Sequence, residues 1–249
     1  GVEAMNYMVN MLREHVPSSS RIHYVITNGG AAPNVVPDFA EVYYYVRHPN
    51  ADTLKGIWDR VMQTANAAAL GTGTQVSIET MHGNHSLLPN ETLAKVMHAN
   101  LSRVGGYAMN QSEIQFAETI QSSFSGRESL LGLERQVLPL QLEHGNGSTD
   151  VGDVSWTVPT AGMSSATWVP GTSAHSWQAI AAGGTSIGAK GMLVAAKTLA
   201  LTAMDVINRP QLSATALDEF NDRRGKDFQY EALLGDRAPP LGYRLTGKP

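Results

Sequence analysis

The sequence predicts a mixed fold: a small α+β layer over residues 1–84, followed by a larger α/β region over residues 85–249. Three observations predict it. Two stretches, around 22–26 and 40–46, alternate their side chains with the period of a strand that has one buried face. Apolar residues at helical spacing flank these stretches on both sides. A polar break, His82-Gly83-Asn84-His85, separates that pattern from a second half in which apolar runs alternate with loops rich in Gly, Ser and Thr.

Each element has its own reason. Met5, Met8, Val9, Leu12 and Val16 recur at helical spacing, and Pro17-Ser-Ser-Ser stops that helix. Ile22, Tyr24 and Ile26 alternate with His23 and Val25 as a first strand, closed by the turn chemistry of Asn28-Gly29-Gly30. Ala40, Val42, Tyr44 and Val46 alternate with Glu41, Tyr43, Tyr45 and Arg47 as a second strand, aromatic and β-branched. Leu54, Ile57, Trp58, Val61, Met62 and Ala65 share one helix face up to Gly71-Thr-Gly73, and 75–81 reads as a third strand. The first region is therefore α-β-β-α-β.

Past the break, Leu93, Val96, Met97, Leu101 and Val104 predict an amphipathic helix ended by Gly105-Gly106. Weak periodicity follows to about residue 145, then the loop GNGSTDVGDVSW, a strand over 165–169, and a loop around His175. A long helix, apolar nearly all round and so expected to be packed on several sides, comes next. The tail from 218 to 249, charged and without clear periodicity, reads as a surface extension.

Composition narrows the chemistry. Of 249 residues, 42% are hydrophobic and 16% charged, the balance of a soluble globular protein. A net charge of -4 with no block of like charges gives a nucleic acid or an anionic membrane nothing to bind. With no cysteine, any metal must be held by His, Asp or Glu. The stretch from 187 to 207 is long enough to span a bilayer, but it carries Lys190, Lys197 and Asp205, each costing about 2.5–3.5 kcal/mol at mid-bilayer. No signal-peptide pattern is visible at the start, so the expected location is the cytoplasm. A first residue other than Met, running straight into a helix, raises the expectation of a fragment.

Three groups of residues could carry chemistry. Asp150 and Asp153 stand three apart in one Gly/Ser/Thr loop, and His175 follows about twenty residues on, across one predicted strand. Carboxylate and imidazole together suit a hard or borderline divalent metal. By residue type alone the competing reading is the stronger one: the two aspartates cap turns, and His175 is a core histidine satisfied locally. The pair His82 and His85 sits on Gly83-Asn84, with no HExxH around it, and reads as a solvated linker. Asn34 and Arg47, thirteen residues apart around one strand, could together bind a carboxylate, the arginine by a bidentate fork. By themselves they are a turn asparagine and a strand-end arginine. The run GGTSIG, which opens a helix, could seat an anion but is weak on its own.

The stretch ITNGGAAPNVVPDFAEVYYYVRHP, taken with GSTDVGDVSW and AHSWQA, resembles the aminoacylase and carboxypeptidase-type metallopeptidases, an amidohydrolase family, along essentially the whole chain. The resemblance implies that residues 1–84 are a lid, or dimerisation, domain and that 85–249 are the C-terminal part of a zinc-peptidase-like catalytic domain. It implies that His175 is a metal ligand, that Asn34 and Arg47 bind the substrate carboxylate, and that Asp150 and Asp153 belong to an active-site loop. It further implies one or two divalent ions, Mn or Zn, and hydrolysis of an N-acyl or N-aroyl amino acid such as a p-aminobenzoyl-glutamate. The expected assembly is a homodimer through the lid, with a second, different subunit as the further partner to consider. In such enzymes the remaining ligands and the glutamate general base precede the lid's first helix, where this sequence begins. The expectation is thus a C-terminal half, inactive alone. The competing class is a non-catalytic dimerisation or binding module, with strand edges pairing between copies.

Overall fold

A computed structural model describes all residues except 125, 127, 143, 144, 146, 239, 240 and 242–249. The end of the predicted tail therefore lies outside the described residues. The chain forms two compact units.

The first unit comprises residues 1–86 with 148–153 and the segment from 231. Its elements are α1 (Val2–Leu12), β1 (Arg21–Asn28), β2 (Glu41–Arg47) and α2 (Ala51–Thr72). The strands pair antiparallel, with Ile22 opposite Val46, Tyr24 opposite Tyr44 and Ile26 opposite Val42. One face of this hairpin, with Ile22, Val42, Tyr44 and Val46, meets Met5, Val9 and Leu12 of α1 and Ile57, Val61, Ala65 and Ala68 of α2. Those helix positions are three or four apart, so each helix presents one apolar stripe. Burying each large aliphatic residue contributes about 1.5–3 kcal/mol. The Asn50 side chain caps α2 by accepting from the Thr53 N–H at 2.8 Å, and Gly73 at φ 67° ends it. Beneath α1, the Tyr44 hydroxyl donates to the buried Asn6 side chain, and burial raises the phenol above its usual range.

The second unit comprises 87–147 and 154–230 and is helical. It holds α3 (Glu91–Val104), α4 (Gln111–Gln121), α6 (Trp177–Gly183), α7 (Ser186–Asn208) and α8 (Pro210–Arg224), while the short α5 (Val151–Ser155) spans the boundary with the first unit. The helices α3, α7 and α8 pack together, and Glu219 of α8 caps α3 by accepting from the N–H groups of Glu91 and Thr92. Glu113, at the N-terminus of α4, accepts from the Lys190 ammonium of α7 at 2.5 Å and from the Ser186 hydroxyl at 2.6 Å.

Several expectations change. Residues 75–81 form no strand, and 165–169 form none either, because the described residues offer neither segment a neighbouring strand to bond. Instead, Ser165 donates to the Gly191 carbonyl at 2.9 Å, and a Cβ at Gly191 would overlap the Ala166 oxygen. The segment thus lies directly on the backbone of α7. The weakly periodic region holds α4. The supposed surface tail is helical through Arg224, with Phe220 buried. The long helix α7 is covered on one side only: Ile187, Gly191, Thr198 and Thr202 are buried, while Met192 is 60% and Ile207 76% exposed. Finally, GGTSIG serves packing, since a Cβ on Gly188 would overlap the Gly183 oxygen.

Candidate functional site

In the first unit, Asn34 lies in the exposed loop that joins β1 to β2, and Arg47 ends β2 at the opposite end of the hairpin, opposite Arg21. The strand runs from Glu41 at its loop end to Arg47, a rise of about 20 Å. The spacing that suggested a shared carboxylate therefore does not bring the two side chains together within one chain. The loop is shaped by Asn28, whose side chain accepts from the Gly30 N–H at 3.1 Å, and by Gly30 at φ 99° against Pro37. Its tip exposes Val35, Val36 and Phe39 beside Asn34. Arg47 is half-buried, its guanidinium 5.2 Å from the centre of the Tyr45 ring.

Asp150 and Asp153 belong to one tight turn. The Gly152 N–H donates to the Thr149 carbonyl at 3.2 Å, and the Asp153 N–H to the Asp150 carbonyl at 3.0 Å. The Asp150 carboxylate is exposed, while the Asp153 carboxylate accepts from the His85 N–H at 3.3 Å. A Cβ at Gly152 would overlap the His85 oxygen, so only glycine fits there. His85 itself is 8% exposed, and its ring meets the Glu231 carbonyl at 3.0 Å. The solvated-linker reading of HGNH fails at this residue: His85 is packed against the aspartate turn, and Asp153 fastens it. The sequence signal was Gly152 between the two aspartates, which marks close backbone approach.

His175 belongs to the second unit. The preceding turn is fixed by Thr172, whose N–H and hydroxyl both reach the Val169 carbonyl, at 3.1 and 2.6 Å. The following residue, Ser176, caps α6 by accepting from the Ala179 N–H at 3.3 Å while its hydroxyl donates to the Ser173 carbonyl at 2.7 Å. Between them His175 sits at φ 59°, the one non-glycine residue with positive φ among the described residues. Its side chain is exposed, so it is not a core histidine. It also precedes a separate short helix, α6, rather than the long one.

Among the described residues, no three or more His, Asp or Glu side chains gather where they could hold a metal. A histidine alone supplies one of the three or four protein ligands that a zinc-type site needs, so these residues do not fit a metal ion by themselves.

Residues 1–73 match the family described as the peptidase dimerisation domain. The chain is 38% identical over 231 residues to one of the subunits of p-aminobenzoyl-glutamate hydrolase from Escherichia coli (strain K12), covering 82% of this chain and 48% of that protein. It is 30% identical over 247 residues to the Xaa-Arg dipeptidase of Mus musculus, covering 96% of this chain and 49% of that protein. The Xaa-Arg dipeptidase of Homo sapiens is 30% identical over 215 residues, covering 85% of this chain and 42% of its own length. The chain spans about half the length of the curated relatives it matches.

Proposed function

The chain belongs to the M20 peptidase family, and from that premise we propose that the complete protein is a cytoplasmic hydrolase of the amide bond in N-acyl or N-aroyl amino acids. Peptidases of this family generally depend on divalent metals, and a Mn or Zn ion would supply an activated water and a polarised carbonyl. His175 is the ligand this chain contributes. The observation that carries the reading is the His175 backbone: a left-handed, hydrogen-bonded loop holds an exposed imidazole clear of the core. The other ligands and the general base belong to the part of the relatives' length that these 249 residues do not span, so the chain alone is inactive. The exposed Met192, Leu193, Leu199, Met204 and Ile207 of α7 support this, because apolar side chains gathered along one helix suit packing against further polypeptide.

The names of the relatives share one substrate chemistry. Each describes an acyl group joined to an amino acid, glutamate in one and arginine in the other. Both substrates then end in a free carboxylate, which suits the guanidinium of Arg47 and the amide of Asn34. Since these stand at opposite ends of β2, one carboxylate meets both only when two copies contribute, Arg47 from one and Asn34 from the other. A homodimer formed by the first unit, whose strand β1 has a free edge among the described residues, supplies that arrangement.

The test is turnover. The complete protein, given Mn²⁺ or Zn²⁺, is expected to release p-aminobenzoate from p-aminobenzoyl-glutamate, and Arg47→Ala is expected to raise KM about ten-fold or more. A folded complete protein that cleaves no N-acyl or N-aroyl amino acid sinks the reading and favours the competing one, a non-catalytic dimerisation module.

A further inference from the structure

A second feature of the first unit lies at the corner where α1 ends and β1 begins. There the surface forms a concavity of about 520 Å³, with walls that include Asn10, Arg13, Ser18, Ser20, Arg21 and His23. None of its ten lining residues is acidic. On a chain of net charge -4, a pocket with two guanidinium groups and no carboxylate departs from the balance of the whole.

The cations in this wall are also unneutralised. Neither Arg13 nor Arg21 has an ion pair among the described residues, in common with Arg60, Arg103 and Arg224. Arg21 donates through one terminal nitrogen to the Ser18 and Ser20 carbonyls, at 2.8 and 2.7 Å, which fixes the plane of its fork. Arg13 is held over the Tyr24 ring, 5.8 Å from its centre. A guanidinium fixed in this way loses little freedom when it binds an oxyanion.

We propose that this corner is a binding site for a small oxyanion, carried by a phosphate or by a carboxylate group. Arg13 and Arg21 would supply the charge-assisted donors. The proposal is independent of the hydrolase reading, because none of these residues belongs to the candidate site.

The test is an NMR titration of the complete protein at low ionic strength, with inorganic phosphate in one arm and succinate in the other. Saturable shifts of the amides of Ser18, Ser20 and Arg21 are expected in at least one arm, and the arm that saturates first identifies which oxyanion the pocket prefers. Arg13→Gln is expected to weaken that binding about ten-fold, and Lys95→Gln, an exposed control, to leave it unchanged. Arg21→Gln removes two local hydrogen bonds as well, so Arg13→Gln carries the decision. Shifts that grow without saturating in both arms, or an Arg13→Gln chain that titrates like the unaltered one, overturn the proposal.

Discussion

At His175 the chain keeps a ring-bearing side chain at φ 59°, where glycine would rest without strain. The cost is about 1 kcal/mol. Since the ring is exposed and no core contact offsets that cost, His175→Gly is expected to leave stability unchanged or raise it by up to about 1 kcal/mol in urea denaturation. A loss of more than about 1 kcal/mol would show that the imidazole is packed and refute its presentation as a free ligand. Gly152→Ala is expected to act oppositely, destabilising by about 1–3 kcal/mol, because the new methyl meets the His85 carbonyl. Residue identity was legible at this scale; placement was not. Asn34 and Arg47 stand out in the sequence, yet the distance between them depends on where the hairpin closes, and the loop from 29 to 40 puts them at opposite ends. By residue type His175 read as a core histidine, and the structure exposes it, because its exposure depends on a loop conformation that composition does not encode.

At the scale of elements, α1, β1, β2 and α2 were legible because their periods are clean and their partners lie close in sequence. The helix α4 was missed behind weak periodicity, although Asn110 and Glu113 form a reciprocal capping box that marks its start. Residues 75–81 and 165–169 have strand-like composition, but a strand exists only with a neighbour, and no local pattern reveals whether one is present. The Glu113 carboxyl joins α4 to α7, and the Lys190 ammonium and the Ser186 hydroxyl hold its pKa at about 2 rather than 4.5. A depressed carboxyl stabilises the fold above its unfolded value and loses that contribution as pH falls toward its folded one. Stability is therefore expected to decline between about pH 5 and about pH 2, and Glu113→Gln should flatten that part of the profile while costing about 2–3 kcal/mol at neutral pH. An unchanged slope in Glu113→Gln, followed by urea midpoints across that range, would assign the acid sensitivity elsewhere.

For the whole molecule, the two units divide the candidate residues between them. The first carries Asn34, Arg47, Asp150 and Asp153, and the second carries His175. The resemblance implied two substrate-binding residues and one metal ligand, and among the described residues no three or more His, Asp or Glu side chains gather where they could hold a metal. What the sequence could not show is that α7, apolar on nearly every side, would be covered on only one, because apolar composition does not say how many neighbours are at hand. The central claim is that His175 is one ligand of a metal centre completed by residues beyond these 249. Bound metal in the complete protein, measured beside turnover of p-aminobenzoyl-glutamate in the unaltered and His175→Ala forms, tests it most directly. The account predicts that His175→Ala lowers metal affinity and turnover together, by about 100-fold or more, while the protein stays folded. A His175→Ala protein that retains both metal and turnover would contradict it.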